Sequence, residues 1–575
     1  FSRALHNSVY SFAAILVTLL LALGLGGVLA AGVTRRWGER PLPPLAALLT
    51  AAALAVAVSP FVFDRLTDGL RLFASGEGWV GYVSATFWCA AAVMLVPGIL
   101  LGSVFPYTLR LAGHHDGGAG ATIGALAAAN TVGAVAGSLA AGFLALPALG
   151  LWGAIRAVAL LYLATAALTA AAGRHRALAV APLAGAVLLF TALDPTRLSP
   201  IHLAPGETLR RLRETAAGTV AVTERDGVLA LTLDGHYTVG ASGAVYNDRR
   251  QAELPMLLTP RPREVFLIGL GTGITAGGAL FQPIDHLTVA ELVPGVADAA
   301  RDEFAPYVNQ LFSDPRARIV VGDGRTVLRA SPGPYDVIVG DLFVPWDRGA
   351  GNLYTREHFT SVRDRLAEDG VFAQWLPLYQ LSWRDFAVIA HTMLTVFPQV
   401  TVWRGDFSAD EPAVGLVGQR VARPLDLDVV VENVRRRPGA ASYPAEKARA
   451  LALLFYAGNL SAAPQLVAEA PINTDDRPVI EYQSPATPME VVHGTADWLT
   501  GAALNRFWSE LAAAVPPARD PFLADVPADE RQRVDGGRLL HAANILRAAG
   551  RDGEARQARE EFRALVPAEV ADAFQ

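Results

Sequence analysis

Apolar residues crowd the first third of this chain, and their spacing changes near residue 194. Six runs, 9–31, 44–63, 80–107, 121–146, 151–172 and 177–193, consist mainly of Ala, Leu, Val and Gly. Five of them contain no Asp, Glu, Lys or Arg, and the fifth in order contains only Arg156. A membrane-crossing helix needs about 20 apolar residues; the first five runs qualify and the sixth is short. Their repetition excludes a signal peptide. A soluble core has no need of so many uncharged runs. Gly133 and Gly137 have the spacing that lets two helices approach closely, with Asn130 able to hydrogen-bond across such a contact. Arg156 is costly in hydrocarbon and is expected to be paired or to face an interior.

Past Asp194 the pattern becomes that of a soluble fold. Segments 219–224 and 228–233 alternate around Arg225-Asp226-Gly227, which predicts a hairpin. A helix follows at about 248–259. Apolar strands at 264–268, 287–291, 318–321, 336–339 and 370–375 then alternate with helical stretches. That alternation predicts an α/β, doubly wound parallel sheet, with runs 399–403 and 413–417 completing it as edge strands. Beyond Tyr482 the chain is Ala- and Arg-rich, and 538–566 reads as a helical hairpin turning at Gly550 and Gly553. The expected organisation is a transmembrane helical bundle at 1–193 with about six spans, a β-hairpin linker region at 194–260, the α/β domain at 261–485 and a C-terminal helical tail at 486–575.

Composition agrees with this division. The chain has 575 residues, 52% hydrophobic and 18% charged, with a mean hydropathy of +0.32. Soluble domains carry about 25% charge. A net charge of -6 argues against a nucleic-acid partner. The single cysteine, Cys89, excludes an intramolecular disulfide and a cysteine metal site, and no spacing suits a metal. The chain begins at Phe1, so its native N-terminus is expected to lie upstream. Arg35, Arg36, Arg40, Arg110, Arg174 and Arg176 fall in alternate loops, whereas Asp64, Arg65, Asp68, Arg71 and Glu77 make a mixed one. The positive-inside rule puts the Arg loops in the cytoplasm. With six spans in an inner cell membrane, the soluble part then lies outside.

Chemistry concentrates at the strand ends. Gly269-Leu270-Gly271-Thr272-Gly273 follows one strand and opens a helix, where glycines permit a tight turn and close approach to a ligand. Alone, such a turn is weak. Glu291 ends the next strand, where an acid accepts hydrogen bonds from ribose hydroxyls. Asp323 ends the third strand and Asp341 the fourth. Ligands of open α/β sheets bind at these carboxyl ends, and three acids at three successive ends are hard to read as solvated surface charges.

These residues carry a family resemblance. LDGHY (233–237), LIGLGTG (267–273), AEL (290–292), VGDGR (321–325), YDVIVGDLFVPW (335–346) and LYTREHF (353–359) look like spermidine synthase, in that family's order. The chain most resembles bacterial multi-pass membrane proteins fused to a spermidine synthase domain, which share a segment like INTDDRPVIEY (472–482). GLGGVLAAGVTRRWGER (24–40) is similar to a loop of the major-facilitator transporters.

The resemblance implies a fold close to the class I methyltransferases and a place in polyamine biosynthesis. It also implies decarboxylated S-adenosylmethionine, or S-adenosylmethionine, as the nucleoside ligand, whose aminopropyl group is passed to an amine. Carried over by motif, Gly269, Gly271, Gly273 and Gly324 line the nucleoside, Glu291 binds ribose and Asp323 lies near adenine. Asp341 is the base that frees the attacking amine of its proton. Tyr354 and His236 complete the catalytic candidates. The partners expected are the lipid bilayer, the nucleoside, an amine or envelope-derived acceptor, and a second copy in a homodimer.

Departures bear on the acceptor. The family's Asp-Ser-Ser-Asp-Pro is Asp341-Leu342-Phe343-Val344-Pro345 here, so Val344 replaces a carboxylate that holds a polyamine, and Asp347 is the nearest substitute. The family's Asp-Glu-Phe-x-Tyr-x-Glu corresponds to the segment 246–251, where Asp248 and Gln251 remain as acceptor candidates beside Arg249 and Arg250. Those arginines would repel a dication and suit an anion. Trp375 and Tyr379, after the fifth strand, could wall the acceptor pocket or simply pack. Asp475 and Asp476 read as a cap or ion pair. Methyl transfer, nucleoside-free chemistry on an envelope substrate, and a non-catalytic transporter or sensor scaffold remain the alternatives.

Overall fold

The computed structural model describes residues 1–37, 42–71, 78–112, 119–173, 179–235 and 237–574. Of the loop residues used above, Arg40, Glu77, Arg174 and Arg176 lie outside this set, as does His236. The chain divides into two compact units, Phe1–Ala221 with Thr232–Tyr237, and Val222–Leu231 with Thr238–Gln575.

The first unit holds the apolar helices α1 (Val9–Trp37), α2 (Leu42–Leu66), α3 (Gly78–Ala112), α4 (Ala119–Ala140), α5 (Leu146–Ala172) and α6 (Val180–Thr191). Among the described residues, four helical runs are long and apolar enough to cross a membrane. Runs four and five form one helical stretch of 53 residues, Gly120–Ala172, through a π-helical turn at Ala141–Ala145 and a kink at Gly150 (φ 69°, ψ 174°), enough at about 1.5 Å per residue for two crossings of about 30 Å. The sixth is only 12 residues of helix, about 18 Å at about 1.5 Å per residue, against a hydrocarbon thickness of about 30 Å. At the bend, the Leu151 N–H donates to Glu214 Oε2 at 3.1 Å, so a carboxylate satisfies the exposed start of α5.

Close helix packing occurs where the small-residue spacing did not predict it. A Cβ on Gly26 would sit 2.6 Å from the Gly102 carbonyl carbon, and one on Gly98 would sit 2.7 Å from Ala22 Cβ. These glycines let α1 and α3 run side by side. Gly133 and Gly137 have no neighbour within 4 Å of a built Cβ, and Asn130 is exposed. Arg156 is paired as expected, with Asp194 at 3.0 Å, and lies 5.3 Å from the Phe190 ring centroid.

One end of this unit gathers the start of α1, the end of α2 and the start of α3. The His6 N–H donates to Tyr82 Oη at 3.0 Å, and the Phe1 and Phe63 rings lie 4.9 Å apart. Buried Arg3 donates to Pro200 O at 2.7 Å and to Thr219 Oγ1 at 3.1 Å, and pairs with Glu214. Arg35 and Arg36 fall in the last turn of α1 and Arg110 in the last turn of α3, at the opposite ends of those helices.

A four-stranded sheet has the order β1 (Thr208–Thr215), β2 (Gly218–Arg225), β3 (Val228–Leu233), β4 (Tyr237–Ala241). The predicted hairpin is β2–β3. Its two connecting residues, Asp226 and Gly227, both take positive φ (52° and 79°), as a tight two-residue turn between twisted strands requires.

The second unit is built on an eight-stranded sheet. Its parallel strands are β5 (Glu264–Ile268), β6 (His286–Glu291), β7 (Ala317–Val321), β8 (Tyr335–Gly340) and β9 (Leu366–Pro377). Antiparallel β10 (Gln399–Arg404), β11 (Ala413–Gln419) and β12 (Tyr456–Asn459) extend it. The order is β12-β10-β11-β9-β8-β5-β6-β7. β10 and β11 are therefore interior strands, not the expected edges; β12, a short apolar run without alternation, covers them. After β7 the chain crosses back over β5 to lay down β8. That reversal opens a crevice at the carboxyl ends of β5 and β8. The second unit also holds α7 (Val245–Leu257), α8 (Ile274–Ala279), α9 (Pro294–Glu303), α10 (Gly324–Ala330), α11 (Arg356–Arg365) and α12 (Trp383–Leu394). Phe266, Ile338, Phe359, Phe372 and Phe386 form part of one continuous buried core there. The C-terminal hairpin pairs Arg533–Ala548 with Asp552–Leu565; Gly550 (φ 73°) makes the turn, and Gly553 lies inside the second helix.

Candidate active site

The glycine turn closes onto the strand ends. Gly269, Gly271 and Gly273 have φ of 92°, 54° and 83°, values that favour glycine at each position. The Gly269 N–H donates to Ala290 O at 2.9 Å, which ties the turn to β6. A Cβ on Gly269 would lie 3.4 Å from Asp341 Cβ and 3.3 Å from Phe343 Cε1. The turn and Asp341 are thus immediate neighbours, and a side chain at Gly269 would meet both Asp341 and Phe343.

Glu291, 7% exposed, accepts from the Leu270 N–H at 3.1 Å and the Val293 N–H at 2.8 Å. Burial raises its pKa, and those N–H groups oppose the rise. Asp323 caps α10, accepting from Thr326 N at 2.8 Å and Thr326 Oγ1 at 2.7 Å. A Cβ on Gly324 would sit 2.7 Å from Ile268 Cγ2, so α10 packs tightly on β5. Glycine turn, ribose-type acid and capping acid stand at the ends of three adjacent parallel strands. This donor and acceptor set fits a nucleoside.

The other side of the crevice is acidic. Asp341 is half-buried, and its backbone N–H donates to Ile268 O at 3.1 Å. Burial pushes its carboxyl up to about 7; the Leu342 N–H pulls it down and the charge of Glu291 adds to the rise. Asp248, on α7, is pushed up to about 8 by burial and by Asp341. Tyr379 is pushed up to about 12 by burial and then by Glu411, Asp248, Asp406 and Asp341. Four carboxyl groups therefore act on one phenol. Asp406, 7% exposed, accepts from Ser408 N at 2.8 Å and Ala413 N at 3.2 Å. Burial lifts it to about 6 despite those bonds and Arg250. Asp406 and Glu411 sit between β10 and β11 and were absent from the sequence candidates. Their signal, an acid-rich loop between two apolar runs, resembles any surface hairpin.

Arg249 and Arg250, expected to suit an anion, both bond within the protein. Arg249 donates to Tyr307 O at 3.1 Å and lies over Phe281. Arg250 donates to Gly405 O at 2.7 Å and lies over Phe455, with its centre 4.5 Å from the ring centroid. Each guanidinium thus meets a backbone carbonyl and an aromatic face.

Other candidates are packed rather than presented. Trp375 is fully buried, donates from Nε1 to Gln251 O at 2.8 Å and lies against Gly405 and Gly415. Gln251 is 3% exposed, and its Oε1 has no partner among the described residues. Tyr354 is fully buried, with Oη donating to Phe343 O at 2.9 Å. Asp347 belongs to the turn after Val344, its N–H donating to Val344 O at 3.3 Å.

Residues 248–403 match the family described as the spermine/spermidine synthase domain. The chain carries that domain in its C-terminal part. A polyamine aminopropyltransferase of Thermotoga maritima is 32% identical over 160 residues, 27% of this chain and 52% of that protein. Polyamine aminopropyltransferase 2 of Streptomyces coelicolor is 29% identical over 400 residues, 65% of this chain and 68% of its own length. The chain spans about half the length of the first of these relatives. The crystal structure of spermidine synthase from Thermotoga maritima covers 50% of this chain and 87% of its own, at 20% identity and a TM-score of 0.35.

Proposed function

We propose that this protein is a membrane-anchored transferase of the aminopropyltransferase type, with an amine as acceptor and Asp341 as its base. The observation that carries the proposal is the placement of Asp341. It stands beside the glycine turn, among acids, with a carboxyl lifted to about 7. A base of that strength is half ionised near neutral pH, where proton abstraction is most effective. Decarboxylated S-adenosylmethionine, when bound, supplies an aminopropyl carbon activated by a sulfonium. The glycine turn and Glu291 hold the nucleoside end. Asp341 takes the proton from the attacking amine nitrogen, and Asp248, Asp406 and Glu411 favour a cationic acceptor that Val344 no longer helps to hold. Anchoring rests on the length and apolarity of the helical runs. Titration calorimetry with decarboxylated S-adenosylmethionine and methylthioadenosine tests the reading; absence of binding to both removes it.

A second reading draws on the first unit. Arg35, Arg36 and Arg110 lie at the opposite helix ends from Arg3 and its partners Pro200 and Thr219, through which the chain runs on to the α/β domain. By the positive-inside rule that end faces outward, where a cytoplasmic nucleoside is not supplied. Asp341 then acts as a base on an envelope-derived substrate without nucleoside. Reporter fusions after Leu193 separate the two: a cytoplasmic signal removes the second reading.

A further inference from the structure

The chain from β8 to α11, residues 341–355, carries Asp341 at its start and lays Phe343 against the glycine turn. Its own bonds include Tyr354 Oη to Phe343 O, Leu342 N to Asp341 Oδ1, Asp347 N to Val344 O, Ala350 N to Asp347 O, Asn352 N to Gly349 O and Thr355 Oγ1 to Asn352 O. Much of its remaining support comes from the segment 472–482, outside the residues matched to the synthase domain. The Gly349 N–H donates to both carboxylate oxygens of Glu481, at 2.8 and 3.1 Å. Asn473 Nδ2 donates to Gly351 O at 3.0 Å, and the Arg356 N–H donates to Asn473 O at 2.9 Å. Thr355 Oγ1 donates to Asp475 at 2.7 Å, and Asp475 is also paired with Arg325 at 2.7 Å. A Cβ on Gly351 would come within 3.0 Å of Glu481 N and Oε2, so the two segments touch along their backbones.

The segment is itself fixed at both ends. Fully buried Asn473 donates its N–H to Thr392 Oγ1 on α12 at 2.9 Å and accepts from the Ile480 N–H at 3.2 Å. Just past its other end, Gln483 Nε2, Ser484 Oγ and Thr487 Oγ1 donate to buried Asp385 at 2.9, 3.0 and 2.8 Å. α12 thus holds the segment, and the segment holds the loop.

We propose that 472–482 is a strap that sets the position of the loop carrying Asp341, with Glu481 and Asn473 as its positioning residues. Neither needs to touch a substrate. Transfer between two bound molecules depends on alignment, and a displacement of about 1 Å can cost about a hundredfold in rate. A loop resting on its own bonds alone would let Phe343 and Asp341 wander over the turn.

The idea rests on the proposed transferase reading only for its kinetic arm. The test uses the full chain in detergent and compares wild type, Glu481→Ala and Glu481→Gln. Gln keeps an acceptor for the Gly349 N–H, and Ala removes it. Amide hydrogen exchange across 342–355 is expected to quicken about tenfold in Glu481→Ala and to return to the wild-type rate in Glu481→Gln. Binding of methylthioadenosine by calorimetry is expected to stay within about twofold, because the glycine turn and Glu291 are untouched. With decarboxylated S-adenosylmethionine and putrescine as probe substrates, kcat is expected to fall about tenfold in the Ala variant alone. Unchanged exchange in Glu481→Ala, or equal quickening throughout the second unit, overturns the strap. Absence of wild-type turnover with normal loop exchange counts against the transferase reading and leaves the exchange arm to decide the strap.

Discussion

On the β5–β6–β7 side of the crevice, each candidate group sits within a few residues of a strand end. On the α7 side, Asp248, Asp341 and Tyr379 come from three separate segments, and Asp406 and Glu411 from a fourth, the loop between β10 and β11. The first side depends on backbone: positive-φ glycines, N–H groups held by Glu291, a cap by Asp323. The second depends on charge: carboxyl groups crowded until burial and mutual repulsion lift them towards neutral pH. A backbone site tolerates little change in shape. A charge site can keep its sign while its residues move.

The largest expected effect lies on the charge side. Asp341→Asn should lower turnover about a thousandfold, the scale of lost general-base catalysis, while nucleoside affinity by calorimetry stays near wild type. Equal loss of both would merge the two sides into one. On the backbone side, Gly269→Val should weaken nucleoside binding at least about tenfold, because its Cβ meets Asp341 and Phe343 and φ is 92°. Affinity within twofold of wild type would show that the turn is not a ligand cradle.

The pH dependence sharpens the contrast. Turnover should rise with pH through about 7 as Asp341 ionises. In Asp341→Asn the like charge that lifts Asp248 is gone, so Asp248 should titrate below about 8, read by NMR; an unmoved Asp248 would uncouple the pair. Stability runs the opposite way. Both carboxyls are raised above their unfolded value near 4, so the native state binds more protons than the unfolded chain. That contribution is full below pH about 4 and is lost as pH rises through about 7 and 8. Asp341→Asn should therefore raise Tm at pH 8.5 and leave it unchanged at pH 4, read by scanning calorimetry of the detergent-solubilised chain. The smallest effect is expected in the apolar helices of the first unit. Gly26→Val should lower Tm by a few degrees through the α1–α3 contact, and Gly133→Val should not.

The backbone side could be read in the sequence because a parallel strand, a turn and the next strand are contiguous: Gly269–Gly273, Glu291 and Asp323 announce themselves by spacing. The strands β5 to β9 were legible for the same reason. Asp406 and Glu411 were not, since their meeting with Tyr379 depends on β10 and β11 folding in from far along the chain. The partners of Arg249 and Arg250 were not legible either, because residue type records a charge but not the carbonyl or ring it meets. Gly133 and Gly137 show that a spacing permits contact without creating one.

The indole of Trp375 has a further consequence. Its single N–H fastens the sheet to Gln251 on α7, the helix that brings Asp248 to the crevice. Replacement by Phe would preserve most of the bulk and sever that fastening, freeing one helix to shift against a fixed floor. Acceptor preference in such a scaffold can drift through one interior residue that no substrate ever meets.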